Sequence, residues 1–139
     1  MESKHHILLI DDDPVIQRLM GAKLSKAGYE VLYANDSPTG REIARRLQPA
    51  LILLDIRMPN EDGFAVARRL HEEEPTKDIP IIFLTNEDLS REGEQWAKEK
   101  WVVDYFHKSI DPDEFIERIQ KIVQPKRAGV KEGKLINPK

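Results

Sequence analysis

Short apolar runs alternate with amphipathic stretches through most of the chain. Five runs have the length of β-strands, and four of them are apolar almost throughout, which is typical of strands buried on both faces of a sheet. The other run, Tyr29–Ala34, mixes polar with apolar residues, and this favours a place at the sheet edge. The predicted strands are His6–Ile10, Tyr29–Ala34, Leu51–Leu54, Ile79–Leu84 and Val102–Phe106.

The stretches between these runs carry apolar side chains at the three- and four-residue spacing of amphipathic helices. The first stretch stops at Gly28, a residue type that favours the left-handed backbone after a helix. The second follows Ser37 and Pro38, which predict a cap and a first turn. The predicted helices are Pro14–Ala27, Thr39–Leu47, Gly63–Glu73, the mostly polar Leu89–Lys100 and Asp111–Val123.

This alternation predicts an α/β fold, because strands and helices in turn join through right-handed crossovers. We expect a doubly wound parallel sheet of five strands with five helices on its two faces. The pattern ends after Gln124, and the last segment carries five basic residues against one acidic residue. We therefore predict one domain over residues 1–124 and a basic flexible tail over residues 125–139.

Composition narrows the class of protein. Hydrophobic residues make up 40% of the chain and charged residues 34%, a balance typical of a globular domain. The net charge of −3 does not argue for a nucleic acid or a membrane as a direct partner. The chain has no cysteine, which excludes disulfides and thiol chemistry, and no apolar run approaches the ~18 residues of a membrane span. A cytoplasmic protein is the default expectation.

Polar residues collect where the predicted strands end. The carboxyl ends of parallel strands meet at one edge of a doubly wound sheet, so the residues that follow them are expected to lie together. An acidic triplet follows the first strand, and further candidates follow the third, fourth and fifth strands. They are Asp11, Asp12, Asp13, Asp55, Thr85, Asn86, Glu87 and Lys108.

These residue types suit metal-assisted phosphoryl chemistry. Carboxylates from two strands are the ligands that Mg²⁺ prefers, together with water and phosphate oxygens. Lys108 and Thr85 are suited to hold phosphate oxygens. No glycine-rich phosphate loop occurs, which argues against a nucleotide ligand and favours a small transferred phosphoryl group. A carboxylate can itself be the nucleophile and form an aspartyl phosphate.

Four motifs, "ILLIDDDP", "LLDIRMPNEDG", "IIFLT" and "VDYFHK", occur in this order and spacing. Together they resemble the receiver domain of two-component response regulators, over about residues 5 to 124. The resemblance implies a flavodoxin-like sheet with strand order 2-1-3-4-5. It also implies a stand-alone phosphoacceptor with at most slow self-dephosphorylation, and not an enzyme.

The resemblance implies a role for each matching residue. Asp55 accepts phosphate from a histidine kinase or a phosphotransfer protein. The cofactor is Mg²⁺ or Mn²⁺, bound directly by Asp12, mostly through water by Asp11, and also by Asp55 and the backbone carbonyl of Arg57. The remaining implied roles are phosphate contact by Thr85 and Lys108, a coupled rotamer change of Tyr105, and the loop shape set by Met58, Pro59 and Gly63.

The resemblance further implies an output surface formed by the fourth helix, the fifth strand and the fifth helix. Phosphorylation would reshape this surface, so that it binds a downstream protein or forms a phosphorylation-dependent dimer. Arg57, Asn86 and Glu87 are expected to modulate the site: Asn86 by restricting access to Asp55, and Arg57 with Glu87 by a salt bridge over its mouth. The alternative for that pair is two solvated charges.

One departure from the family pattern concerns the aim of the site lysine. Receiver domains usually have proline, after a cis bond, directly behind this lysine, whereas here Ser109 follows Lys108. A cis bond before a residue other than proline costs about 3 kcal/mol, so the bond is either strained or trans. If the bond is trans, the sequence does not determine whether the Lys108 side chain points into the site.

Two other functions compete with a phosphorylated receiver. "IDDDPV" also fits the start of haloacid-dehalogenase-type phosphatases, with Asp11 as nucleophile and Asp13 as acid and base. The simpler interpretation of Asp13, and the one we favour, is the N-cap of the helix that begins at Pro14. The second alternative is a receiver-shaped interaction module that is never phosphorylated.

Overall fold

The computed structural model describes residues 3–59, 61–86, 95, 99 and 101–125. Five parallel strands form one sheet, namely β1 (Ser3–Ile10), β2 (Glu30–Ala34), β3 (Pro49–Asp55), β6 (Ile81–Thr85) and β7 (Val102–His107). Their order in the sheet is β2-β1-β3-β6-β7, which confirms the predicted topology. Between β3 and the next helix, β4 (Arg57–Met58) and β5 (Glu61–Asp62) form a short antiparallel hairpin that the sequence pattern did not predict.

Four helices accompany the sheet in the described residues: α1 (Pro14–Lys26), α2 (Ser37–Leu47), α3 (Gly63–Glu72) and α4 (Pro112–Gln120). The predicted helix Leu89–Lys100 and residues 126–139 of the predicted tail lie outside the described residues, apart from positions 95 and 99. No helix in the described part of the chain is long and apolar enough to cross a membrane.

Each of these helices begins behind an aspartate whose carboxylate accepts a backbone N–H of the first turn. For α2 this corrects the prediction from Ser37, because Asp36 accepts the Thr39 N–H at 2.8 Å and is the N-cap. Ser37 is buried, and its hydroxyl donates instead to the Glu61 carboxylate. A distant partner therefore decides which of two adjacent capping residues caps the helix.

The core lies on both faces of the sheet, because β1 and β3 bury successive side chains on opposite sides. Leu8 and Ile10 pack with α2 and α3 on one face, whereas Ile7 and Leu9 pack with α1 and α4 on the other. β7 differs from the prediction of a strand buried on both faces. It is an edge strand in which Val103 is 40% exposed.

Strand register brings the ends of the central strands level with one another. Ile10 of β1 pairs with Leu54 of β3, and Asp55 pairs with Leu84 of β6. Thr85, at the end of β6, pairs with His107 of β7. The residues that follow β1, β3, β6 and β7 are therefore at the same edge of the sheet.

Candidate functional site

The acidic triplet after β1 is divided among different environments. Asp11 is fully buried, and its Oδ1 accepts the Asp13 N–H at 2.9 Å. Asp12 is exposed at the mouth of the site. Asp13 Oδ1 accepts the Val15 N–H at 2.9 Å, so Asp13 is the N-cap of α1, as predicted. Three neighbouring carboxylates thus have three different surroundings, of which only that of Asp13 belongs to the helix start.

Asp55 ends β3 with its side chain almost wholly removed from water, since the residue is only 3% exposed. Its Oδ1 accepts the backbone N–H of Arg57 at 3.1 Å. Burial, and then the charge of Asp11, raise the pKa of Asp55 to about 6, although Lys108 and the Arg57 N–H partly oppose the shift. Removal from solvent disfavours the charged carboxylate, which leaves it in need of a positive counter-charge.

Lys108 supplies positive charge from the end of β7. Its Nζ lies 2.8 Å from Asp11 Oδ2 and 3.3 Å from Asp55 Oδ2, with the side chain 6% exposed. Burial opposes the charged form, but contact with Asp11 and the charges of Asp55 and Asp11 outweigh it and raise the pKa of Lys108. The ammonium group therefore stays protonated between the two buried carboxylates.

The aim of Lys108 does not depend on a proline behind it. No cis peptide bond occurs among the described residues, so the Lys108–Ser109 bond is trans. The Lys108 N–H donates to the Thr85 carbonyl at 2.8 Å. Ser109 N–H donates to His107 Nδ1 at 3.1 Å, and its Oγ lies 2.7 Å from the same nitrogen. These local contacts shape the turn while Lys108 still reaches both carboxylates.

The arrangement of the acidic side chains suits a metal ion. Asp11, Asp12 and Asp55 each offer one carboxylate oxygen, and these oxygens all lie within 4.8 Å of one another. Asp11 Oδ2 is buried, and its partner among the described residues is the Lys108 ammonium group 2.8 Å away. A hard divalent cation is the ligand that fits best a cluster of carboxylate oxygens in which one ammonium group serves two carboxylates.

Most of the predicted site residues share one depression of about 440 Å³. It is lined by Asp12, Asp13, Pro14, Asp55, Arg57, Thr85, Asn86 and Lys108. Tyr105 is not among the residues that line it. The Tyr105 ring stacks on that of Phe83 with the ring centroids 5.2 Å apart, and burial raises the pKa of Tyr105 to about 12. Glu87, and with it the predicted bridge to Arg57, lies outside the described residues.

The loop after Asp55 folds back closely on the strand. A side chain at Gly63 would bring its Cβ within 2.5 Å of the Asp55 carbonyl and 2.6 Å of Ile56 Cα. The Gly63 N–H donates to the Ile56 carbonyl at 2.8 Å. Only glycine permits this approach, which brings the hairpin against the end of β3.

Two residues that hold the site loops were missed by sequence reasoning. Glu61 accepts hydrogen bonds from Ser37 and, at 3.1 Å, from Arg69, and so links the hairpin to α2 and α3. Ser37 is 24 residues away from Glu61 and Arg69 is 8 residues away, and no local pattern identifies either contact. Gln17 contacts the loop after β1. The sequence feature that could have identified it is a polar residue at a core-facing position of α1.

Comparison with known proteins finds one family over most of the chain. The family described as response regulator receiver domain matches residues 7–120. The chain is 39% identical to the DNA-binding dual master transcriptional regulator RpaA of Synechocystis sp., over 85% of this chain and 48% of RpaA. It is 32% identical to protein PilH of Pseudomonas aeruginosa, over 84% of this chain and 96% of PilH.

Solved structures show the same fold. A CheY-like response regulator receiver domain protein from Methanospirillum hungatei superimposes with a TM-score of 0.76 at 26% identity, covering 86% of this chain and 93% of that one. Chemotaxis protein CheY4 of Vibrio cholerae gives a TM-score of 0.77 at 27% identity, covering 85% and 98%. The chain spans about half the length of RpaA but nearly all of PilH. It belongs to the response regulator receiver domain family.

Proposed function

We propose that this chain is a phosphorylation-driven binding switch in which Asp55 accepts a phosphoryl group from a histidine kinase or a phosphotransfer protein. The observation that carries the proposal is the meeting of a buried carboxylate, a lysine and an acidic pair at one sheet edge. This set combines a nucleophile with groups that offset charge on phosphoryl oxygens. We also propose that the protein is cytoplasmic. Residues 1–124 would form the receiver domain, and residues 125–139 a basic tail.

The metal we propose is Mg²⁺ or Mn²⁺, held by Asp11, Asp12, Asp55 and the backbone carbonyl of Arg57. When bound, it supplies positive charge that offsets the clustered carboxylates and the oxygens of the transferred group. The donor set supports this choice, because every proposed protein ligand is an oxygen.

In the proposed reaction, a carboxylate oxygen of Asp55 forms a bond to phosphorus while the bond from phosphorus to the donor's imidazole nitrogen breaks. The electron pair of the broken bond stays with that nitrogen. Lys108 and the Thr85 hydroxyl contact the phosphoryl oxygens and offset their charge. Lys108 is already within 3.3 Å of Asp55, so it needs little reorganisation to do so.

We propose that the signal leaves the site through Thr85 and Tyr105. Movement of Thr85 toward the phosphoryl group lets Tyr105 change rotamer. This change reshapes the proposed output surface, to which the predicted helix Leu89–Lys100, β7 and α4 contribute. A downstream protein or a second copy of the chain then binds the reshaped surface, by a shift between two packings. Arg57 and Asn86, which line the depression, modulate the lifetime of the phosphoryl group. The same role is proposed for Glu87 from the sequence.

A phosphatase that uses Asp11 as its nucleophile has less support from the geometry. Asp11 is not among the residues that line the depression, and Asp13 is engaged in capping α1. The carboxylate with both a lysine partner and a place in the lining of the depression is Asp55.

The proposal is tested by labelling the protein with radioactive acetyl phosphate. We expect stable label with Mg²⁺, none with EDTA, and none in Asp55→Asn. Asp78→Asn is the matched control, because Asp78 is exposed and lies outside the depression, and it should be labelled like the parent chain. Label that persists in Asp55→Asn, or its absence from the parent chain with Mg²⁺, would contradict the proposal.

A further inference from the structure

Gln17 occupies a position on α1 where the helical pattern calls for an apolar residue. It lies three and seven residues before Met20 and Leu24, which are both buried against the sheet. Gln17 is itself half-buried. A polar side chain at a core-facing position needs hydrogen-bond partners, since burial of an unpaired amide is costly.

The amide of Gln17 finds such partners in the segments that follow β1 and β2. Its Nε2 lies 2.8 Å from the Asp11 carbonyl, 3.2 Å from the Ala34 carbonyl and 2.9 Å from Asn35 Oδ1. Backbone carbonyls can only accept, so the nitrogen of the amide must face them. Gln17 is therefore a donor to the ends of two adjacent strands.

The contact with Asp11 fixes the backbone from which the acidic pair projects. The Asp11 N–H donates to the Ala34 carbonyl at 3.1 Å, while the Asp11 carbonyl accepts from Gln17. That carbonyl shares a planar peptide unit with the nitrogen and Cα of Asp12. Holding the carbonyl therefore sets the direction from which the exposed Asp12 side chain leaves the backbone.

We propose that Gln17 is a positioning residue for the metal site, which holds the Asp11–Asp12 peptide so that both carboxylates meet one cation. The inference rests on the metal site of the proposed function and adds to it a residue that touches neither the cation nor the phosphoryl group. Loss of a hydrogen bond that orients a ligand weakens metal binding by about 10- to 100-fold in other proteins. We expect the lower end of that range here, because Asp11 keeps its other contacts.

The substitution Gln17→Glu tests the role by the sign of its effect. Glutamate has nearly the same shape, but its carboxylate cannot donate to the three oxygens around it. An added negative charge close to the site would by itself tighten cation binding. Positioning predicts the opposite, about tenfold weaker binding. Gln17→Met, of similar length without charge or donor, should also bind more weakly.

Binding is measured from the electron paramagnetic resonance signal of free Mn²⁺ and by calorimetric titration with Mg²⁺. Gln120→Glu is the charge-matched control, because Gln120 ends α4 and does not line the depression. Its affinity should equal that of the parent chain. Circular dichroism in EDTA identifies temperatures at which each variant is folded, so that a loss of affinity is not a loss of fold.

Each outcome separates the inference from the function on which it rests. Weaker binding by folded Gln17→Glu and Gln17→Met, with Gln120→Glu unchanged, supports the positioning role. Equal or tighter binding by Gln17→Glu, when Asp12→Asn loses the ion, overturns that role and leaves the metal site intact. If the parent chain binds neither ion, the metal site and the inference both fail.

Discussion

At the scale of the residue, the buried carboxylate of Asp55 has no counter-charge of its own, because it shares one with Asp11. It is 3% exposed and lies near a second buried carboxylate, while one ammonium group serves both. A protonated Asp55 suits the fold without metal better than an ionised one does, which is why its pKa rises to about 6 from 3.8. A cation that binds this carboxylate would therefore displace its proton.

This charge state predicts how stability depends on pH in the absence of metal. The folded pKa of Asp55 lies above its unfolded value, so its contribution to stability is greatest below pH 3.8 and is lost as the pH rises through about 6. Asp55→Asn should therefore raise the free energy of unfolding in EDTA at pH 7 by about 1–3 kcal/mol. Urea denaturation from pH 4 to pH 7.5 measures it, and a gain that does not grow with pH would contradict the account.

The effect of replacing Lys108 on stability and on metal affinity can also be predicted in sign. Its Nζ lies 2.8 Å from Asp11 Oδ2, one of the oxygens that a bound cation would use. Lys108→Ala should therefore lower stability in EDTA by about 3 kcal/mol, because two buried carboxylates lose their counter-charge. The variant should bind Mn²⁺ more tightly than the parent chain does, since a competing cation is gone. Weaker Mn²⁺ binding would show that Lys108 does not compete with the metal.

Residue types and their positions in sequence explain only part of this site. Asp13 could be identified as a cap because it directly precedes a proline that begins a helix. The partners of Gln17 could not be identified in the same way, because its acceptors lie at the ends of two strands separated by a whole helix. A polar residue at a core-facing position of α1 indicates that partners are needed, but the sequence pattern does not say which residues they are.

At the scale of the element, apolar runs were sufficient to identify the strands of the large sheet. They are long enough to be recognised, and β2 is at the edge that its mixed composition indicated. The β4–β5 hairpin has two residues in each strand, too few for alternation to be visible. Its position depends instead on Gly63 and on the link from Glu61 to α2.

The close contact between Gly63 and the end of β3 predicts the effect of replacing this glycine with alanine. Gly63→Ala places a methyl group 2.5 Å from the Asp55 carbonyl, a contact that forces the backbone to move. We expect a loss of stability of about 1–3 kcal/mol together with slower labelling by acetyl phosphate. The matched control is Gly28→Ala, which strains a positive φ of 103° away from the depression and should lower stability without slowing labelling of the folded protein.

At the scale of the whole molecule, the sheet joins a charged edge to a packed core. Ile7–Ile10 of β1 and Leu51–Leu54 of β3 are buried on both faces of the sheet, so the strand ends that carry Asp11 and Asp55 have little freedom to separate. Charge repulsion within the site is then offset by Lys108 and, in the proposed function, by a bound cation, and not by movement of the strands. This explains why an aspartate-rich edge can persist in a stable fold.

Metal binding should accordingly stabilise the entire domain. A ligand that binds only the folded state at about 100 times its Kd raises the free energy of unfolding by about 2.7 kcal/mol. Mg²⁺ at such a concentration should raise the thermal midpoint of the parent chain and leave that of Asp12→Asn nearly unchanged. Differential scanning calorimetry at constant ionic strength measures both, and equal shifts in the two proteins would indicate a general salt effect.

Asp55 is the residue that we propose to carry the phosphoryl group. After phosphorylation with acetyl phosphate and Mg²⁺, borohydride reduces an aspartyl phosphate to homoserine, and mass spectrometry of the peptides locates that residue. We predict homoserine at position 55 and unmodified aspartate at positions 11, 12 and 13. Homoserine at position 11, or at no position in a protein that incorporates label, would contradict the account.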